Sequence, residues 1–249
     1  MTGARVEARV VAPARGWQWL FEGFWLFRKT PVIWLALTLA LGLMWAVSLV
    51  IPVLGPLLFN LLSPALFAGL MIGCRALESG KPLEIGHLFA GFRQHAAPLV
   101  TVGGVYLVGT VVVVGIVLVV AGGSMLPAVL TKPGTDIETL RAAARSMSLA
   151  LAVGAVVYLP LLMVIWFAPL LVVFNGLAPV AAMKLSFTAC VSNTVPFLVY
   201  GVAVLMAWVV LSLPAALGAA GALLVVALLV ASIPVLICSV YASYRDIFR

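Results

Sequence analysis

Leu185–Tyr244 reads LSFTACVSNTVPFLVYGVAVLMAWVVLSLPAALGAAGALLVVALLVASIPVLICSVYASY, sixty residues without one Asp, Glu, Lys or Arg. A soluble segment of this length carries charge along its exposed side, so this one is built to face hydrocarbon. One crossing takes ~20 residues, and the stretch divides at Gly218-Ala-Ala-Gly221 into Pro196–Leu217 and Ala222–Tyr244. Working outward, three further charge-free stretches precede it: Thr30–Cys74, Gln94–Thr131 and Ser146–Met183. The first breaks at Pro52-Val-Leu-Gly-Pro56 into Pro31–Val53 and Leu57–Cys74, joined by a very short turn. The second supplies Pro98–Ala121, closed by Gly122-Gly123. The third supplies Met147–Asn175, whose Pro160 and Pro169 predict a tilt or kink. A backbone in lipid must satisfy its hydrogen bonds within each span, so all of these are helices. The reading is an all-α polytopic membrane protein, six transmembrane helices in three hairpins, with residues 1–249 forming a single integral membrane domain.

Composition agrees. Of 249 residues, 65% are hydrophobic and 8% charged, where soluble domains average about a quarter charged. The net charge of +7 reflects basic residues flanking spans, which meet anionic membrane lipid; nucleic acid is not an expected partner. Eleven of the 14 Lys and Arg fall on the side that holds both termini, leaving Lys132, Arg141 and Arg145 opposite. That asymmetry predicts cytoplasmic termini. Residues 1–16 have no apolar core or cleavage site and read as a polar lead-in. The far-side loop, Gly122–Ser146, contains Thr135-Asp-Ile-Glu138, a capping-box pattern that predicts a short helix through Arg145.

A threefold layout underlies the hairpins. Short amphipathic segments precede spans one, three and five, each followed by proline: Leu20-Phe-Glu-Gly-Phe24 before Pro31, Leu88-Phe-Ala-Gly-Phe92 before Pro98, and Leu185-Ser-Phe-Thr-Ala189 before Pro196. Apolar stripes run along each: Trp17, Leu20, Phe21, Phe24; Ile85, Leu88, Phe89, Phe92; and Val180, Met183, Phe187, Cys190. Such helices are expected to lie in the cytoplasmic interface, rings toward the acyl chains. Each closing span also carries a proline, Pro64, Pro169 or Pro234. The repeats are expected at approximately 16–80, 83–176 and 179–246.

The sequence offers little chemistry. No nucleophile elbow, metalloprotease, phosphate-loop or dinucleotide motif occurs, and no charged residue lies inside a span. No enzymatic activity, metal or cofactor is expected. Cys74, Cys190 and Cys238 lack metal-ligand spacing and read as buried thiols. Glu22 and Glu84 are expected to pair with basic residues at the interface. The Ala65-x-x-x-Gly69-x-x-x-Gly73 stripe lets helices approach closely, either inside the bundle or between copies of the chain; packing inside the bundle is the expectation.

Gly16-Trp-Gln-Trp19, Gly23-Phe24, Pro31-x-x-Trp34, Gly80-Lys-Pro-Leu-Glu84 and His87-Leu-Phe-Ala-Gly-Phe92 occur in this order. Their arrangement resembles a family of proteobacterial six-span integral membrane proteins, over nearly the whole chain. More loosely it is similar to the membrane domain fused to some glycerophosphodiester phosphodiesterases, although this chain holds no phosphodiesterase domain. The resemblance implies a bacterial inner membrane and transfers no activity.

Two functions fit these observations. The first is a non-enzymatic scaffold, assembly or regulatory factor that docks lipid headgroups, another membrane protein or a second copy of itself. It would act through Trp17, Trp19, Phe24, Arg28, Leu88, Phe89, Phe92 and Arg93. The second is a transporter or pore for an uncharged or lipid-like molecule, with Tyr106, Tyr158 and Tyr200 lining a cavity. A cavity near the tyrosines favours the second, and a dry bundle with an exposed apolar groove the first.

Overall fold

The structure, a computed structural model, describes residues 6–130 and 137–249. Among the described residues there are helices and no strands, and six segments are long and apolar enough to span a membrane. The chain runs α1 (Arg15–Phe27), α2 (Pro31–Ser48) and α3 (Leu54–Glu78), then a 3-10 turn at Ile85–Phe89 leading into α4 (Ala90–Leu130). There follow α5 (Ile137–Trp166), α6 (Ala168–Asn175), α7 (Pro179–Ser192), α8 (Thr194–Ser212), a 3-10 turn at Leu213–Leu217, and α9 (Ala219–Phe248). The fourth span is α5 and α6 in series, interrupted at Phe167 just ahead of Pro169. The short turn predicted between α2 and α3 is present, with Val53 at a φ of 65°.

Two expectations are corrected on the far side. Gly122-Gly123 does not close the third span, because α4 continues to Leu130. The short far-side helix is instead the start of α5, which runs unbroken from Ile137 through Arg145 into the fourth span. Glycine costs only about 1 kcal/mol in a helix, less than a backbone near lipid loses by giving up its hydrogen bonds. Thr135 and Asp136 of the predicted capping box lie outside the described residues.

The short segments do not pack on the hairpins that follow them. α1 packs on α8 and α9, the segment 85–94 packs on α3, and α7 packs on α5 and α6. Each therefore docks on the preceding pair of spans, and α1 closes a ring by docking on the last. A non-helical residue separates each short segment from its span: Thr30 (φ −147°, ψ 63°), His95 (φ −143°, ψ 44°) and Asn193 (φ −113°, ψ 28°). Proline follows shortly after each, at Pro31, Pro98 and Pro196, and fixes where the span begins.

Glycine makes two of these dockings possible. A Cβ on Gly23 would collide with the carbonyl of Val235 in α9, and one on Gly91 with that of Ala65 in α3. Each carbonyl belongs to the residue just after a helix-interior proline, Pro234 or Pro64. In the third unit a hydroxyl does the joining. Ser186 of α7 accepts from the Phe167 N–H (2.9 Å) and donates to the Met163 carbonyl (2.7 Å), bridging the break between α5 and α6. The buried core follows these contacts: Trp19, Trp34, Leu66, Met71, Leu99, Phe167, Leu170 and Tyr241 all sit toward the end of the bundle that holds the termini. The other ends of the spans present Val112, Val119, Val209 and Leu223 outward.

Gly23→Leu and Gly91→Leu are expected to lower the thermal midpoint in detergent by separating these helices, a cost of about 1–3 kcal/mol each. Gly42→Leu, where a Cβ has open space, should leave it unchanged. Equal midpoints for all three variants would contradict the docking described.

Candidate functional site

At the terminal face, one hydrogen-bonded network ties the chain ends to the bundle. Asp246 accepts from Arg15 Nε (2.5 Å), Arg9 (3.2 Å) and the Trp19 indole N–H (3.0 Å). Arg15 also reaches Glu22 (2.8 Å), and Glu22 accepts in turn from Arg245. Arg245 donates to Glu78 (2.8 Å), which further accepts from Arg249 (3.0 Å) and the Tyr241 hydroxyl (2.5 Å). Burial works against the Arg15 charge, but its hydrogen bond to Asp246 and the fields of Glu22 and Asp246 raise its pKa above the ordinary value. The lead-in is docked as well. Asn193, fully buried, accepts from the Val11 N–H (2.9 Å) and donates to the Arg9 carbonyl (3.1 Å), while the Arg9 N–H meets the Ile247 carbonyl (3.0 Å).

The interfacial residues predicted for docking divide into two sets. Trp17, Phe24, Phe89, Arg28 and Arg93 are exposed, and Phe92 is half-buried. Trp19 and Leu88 are corrected: both are buried, Trp19 against Phe197 and Tyr200, Leu88 under Gly69 of α3. The third stripe divides likewise, with Val180 and Phe187 outward and Met183 and Cys190 buried. The Glu22 expectation holds. Glu84 instead caps its own turn, its backbone N–H donating to His87 Nδ1 (3.0 Å). The stripe Ala65, Gly69 and Gly73 lies under Leu83, His87 and Gly91 of the following segment, so it packs inside the bundle. The Cys74 and Cys238 sulfurs approach to 3.9 Å, joining α3 to α9 inside the core.

Between the closing helices lies a cavity of about 670 Å³. Pro64 and Phe67 of α3, Trp166 and Pro169 at the α5–α6 break, Tyr200 and Val204 of α8, and Leu236 and Ile237 of α9 form its wall, with Tyr106 of α4. All three proline-bearing closing segments therefore contribute. Tyr106 and Tyr200 line the cavity; Tyr158 stands behind, its hydroxyl 2.6 Å from that of Tyr106. Among the described residues no charged side chain lines it, and its hydroxyls are partnered by the protein: Tyr200 with Ser239 (2.6 Å), and Ser63 with the Asn60 carbonyl (2.9 Å) that Pro64 leaves without its helical donor. Trp166 alone among its polar side chains has none; its Nε1 is buried and unbonded. The sequence reading passes over Asn193, Ser186, Trp166 and the linking role of Glu78. The available signal was weak: a polar residue inside an uncharged run, or an acid at a span's end.

Asp246→Asn should free the lead-in. Amide hydrogen exchange at Arg9 and Val11 is expected to speed up about tenfold, as for a local loss of about 1.4 kcal/mol, while α3 stays protected. Unchanged exchange at both amides would show that Asp246 does not hold the lead-in.

No protein-family model matches the chain, and no solved structure matches it significantly. The probable inner membrane protein BTH_II0599 of Burkholderia thailandensis is 31% identical over 253 residues, an alignment spanning 96% of this chain and 92% of that relative. The name of the relative agrees with the six apolar spans. The chain belongs to the family of that inner membrane protein.

Proposed function

We propose that this is a non-catalytic inner-membrane protein that holds the uncharged hydrocarbon chain of one lipid-like molecule among its three hairpins, with both termini in the cytoplasm. The observation that carries the reading is the cavity. Its volume of about 670 Å³ falls in the range of sites that take small ligands. Its wall is apolar and uncharged, and its hydroxyls already have protein partners, so it accommodates hydrocarbon without leaving a polar group unpaired and supplies no ionic recognition. An aqueous pore would require polar lining that these residues do not supply.

The scaffold reading draws on Trp17, Phe24 and Phe89, whose rings are exposed beside Arg28 and Arg93. Rings facing lipid anchor a helix in the interface without any protein partner, and Trp19 and Leu88 are spent inside the bundle. We rest the reading on the cavity.

Gly201 lines the cavity, and a Cβ there meets nothing within 4 Å. Gly201→Phe is expected to fill the space without disturbing the fold. Native mass spectrometry of gently extracted protein should show wild type retaining a lipid-mass adduct and the variant losing it about tenfold, a difference of about 1.4 kcal/mol in binding. Equal adducts on both proteins would overturn the proposal.

A further inference from the structure

A second, smaller space of about 300 Å³ lies between α1, α8 and α9. Phe24 and Phe27 of α1, Trp208 of α8, and Leu228 of α9 wall it. Val204 and Leu236 belong to the walls of both this groove and the central cavity, so these two side chains stand between the two spaces. The groove exists because α8 and α9 touch each other less than either touches α1. α1 is wedged between them, Gly16 against the α8 backbone at Pro196 and Gly23 against the α9 backbone at Val235 and Ser239. A hairpin propped apart in this way leaves a cleft in the wall that faces lipid.

We infer that the occupant of the cavity enters sideways from the bilayer through this cleft, past α1 and across Val204 and Leu236, and that it is an acyl chain of an anionic phospholipid. The inference rests on the cavity reading above and adds the route and the source. Both walls of the cleft are membrane-spanning helices, where the medium available to fill an apolar groove is hydrocarbon. Ser232, the one hydroxyl residue among the groove's described lining, is bonded to the Leu229 carbonyl (2.7 Å), and no charged side chain is among that lining. Just past the end of α1, Arg28 lies 4.0 Å over the Trp25 ring and pairs with no acid among the described residues. A guanidinium placed there suits the phosphate of a lipid whose chain occupies the groove.

The test uses the full chain in vesicles of phosphatidylethanolamine and phosphatidylglycerol, the latter carrying a diazirine at the end of one acyl chain. After irradiation, peptide mass spectrometry compares labelling of the cavity segment 162–169 with that of the groove segment 207–211. Wild type should be labelled at both. Val204→Trp, or Leu236→Trp where the first does not fold, should lower cavity labelling about tenfold while groove labelling persists. A folded variant with undiminished cavity labelling would overturn the route and leave the cavity reading standing. Wild type labelled in the groove but not in the cavity would overturn the cavity reading itself. Wild type also gives an answer without variants. Moving the diazirine next to the headgroup should shift labelling from the cavity to the groove and α1, and an unshifted pattern would overturn the inference.

Discussion

Helix backbones pressed against one another, short segment on closing span, organise this molecule. Gly23 meets α9 and Gly91 meets α3 where a side chain on either would hold the helices apart. Water does not drive this packing, because lipid is as apolar as the helix surfaces. Close van der Waals approach and a few hydrogen bonds must do so instead, and small residues at the contact are what permit the approach. Since each short segment docks on the hairpin before it, the three hairpins are linked in a ring whose last joint is α1 against α8 and α9. The charged network from Arg9 to Arg249 fastens that joint from outside the hydrocarbon, through Asp246, Glu22 and Glu78.

The cavity follows from the same geometry. Helix-interior prolines stand in the closing spans at Pro64 and Pro234, Pro169 opens α6 just past the break at Phe167, and the short segments hold these spans together at one end. The space between them is walled by side chains with no charge and with hydroxyls turned to protein partners. Such a wall offers an occupant shape and hydrocarbon contact. It suits a lipid chain on both counts.

Much of the fold was legible in the sequence because charge is expensive in hydrocarbon. The gaps between charged residues located all six spans, and the prolines at positions 31, 98 and 196 marked where three begin. The burial of individual residues was not legible. In a soluble helix an apolar stripe identifies the packed face, but a membrane helix is apolar both where it meets protein and where it meets lipid. That is why Trp17 and Trp19, two residues apart, were read alike although one faces outward and the other is fully buried. Leu88 and Phe89 were grouped for the same reason. Of the predicted cavity residues, Tyr106 and Tyr200 line the space and Tyr158 supports it from behind, a distinction the spacing along each helix does not contain. Asn193 and Ser186 were passed over because their partners, Val11 and Met163, are brought to them by the ring and not by the local sequence.

The most direct measurement is an experimental structure of the protein in a lipid mesophase or nanodisc. The account predicts elongated, tube-like density between Pro64, Pro169, Tyr200 and Leu236, continuous with density in the cleft between α8 and α9. A cavity closed by side chains, or filled with ordered water bonded to Tyr106 and Tyr200, would contradict it.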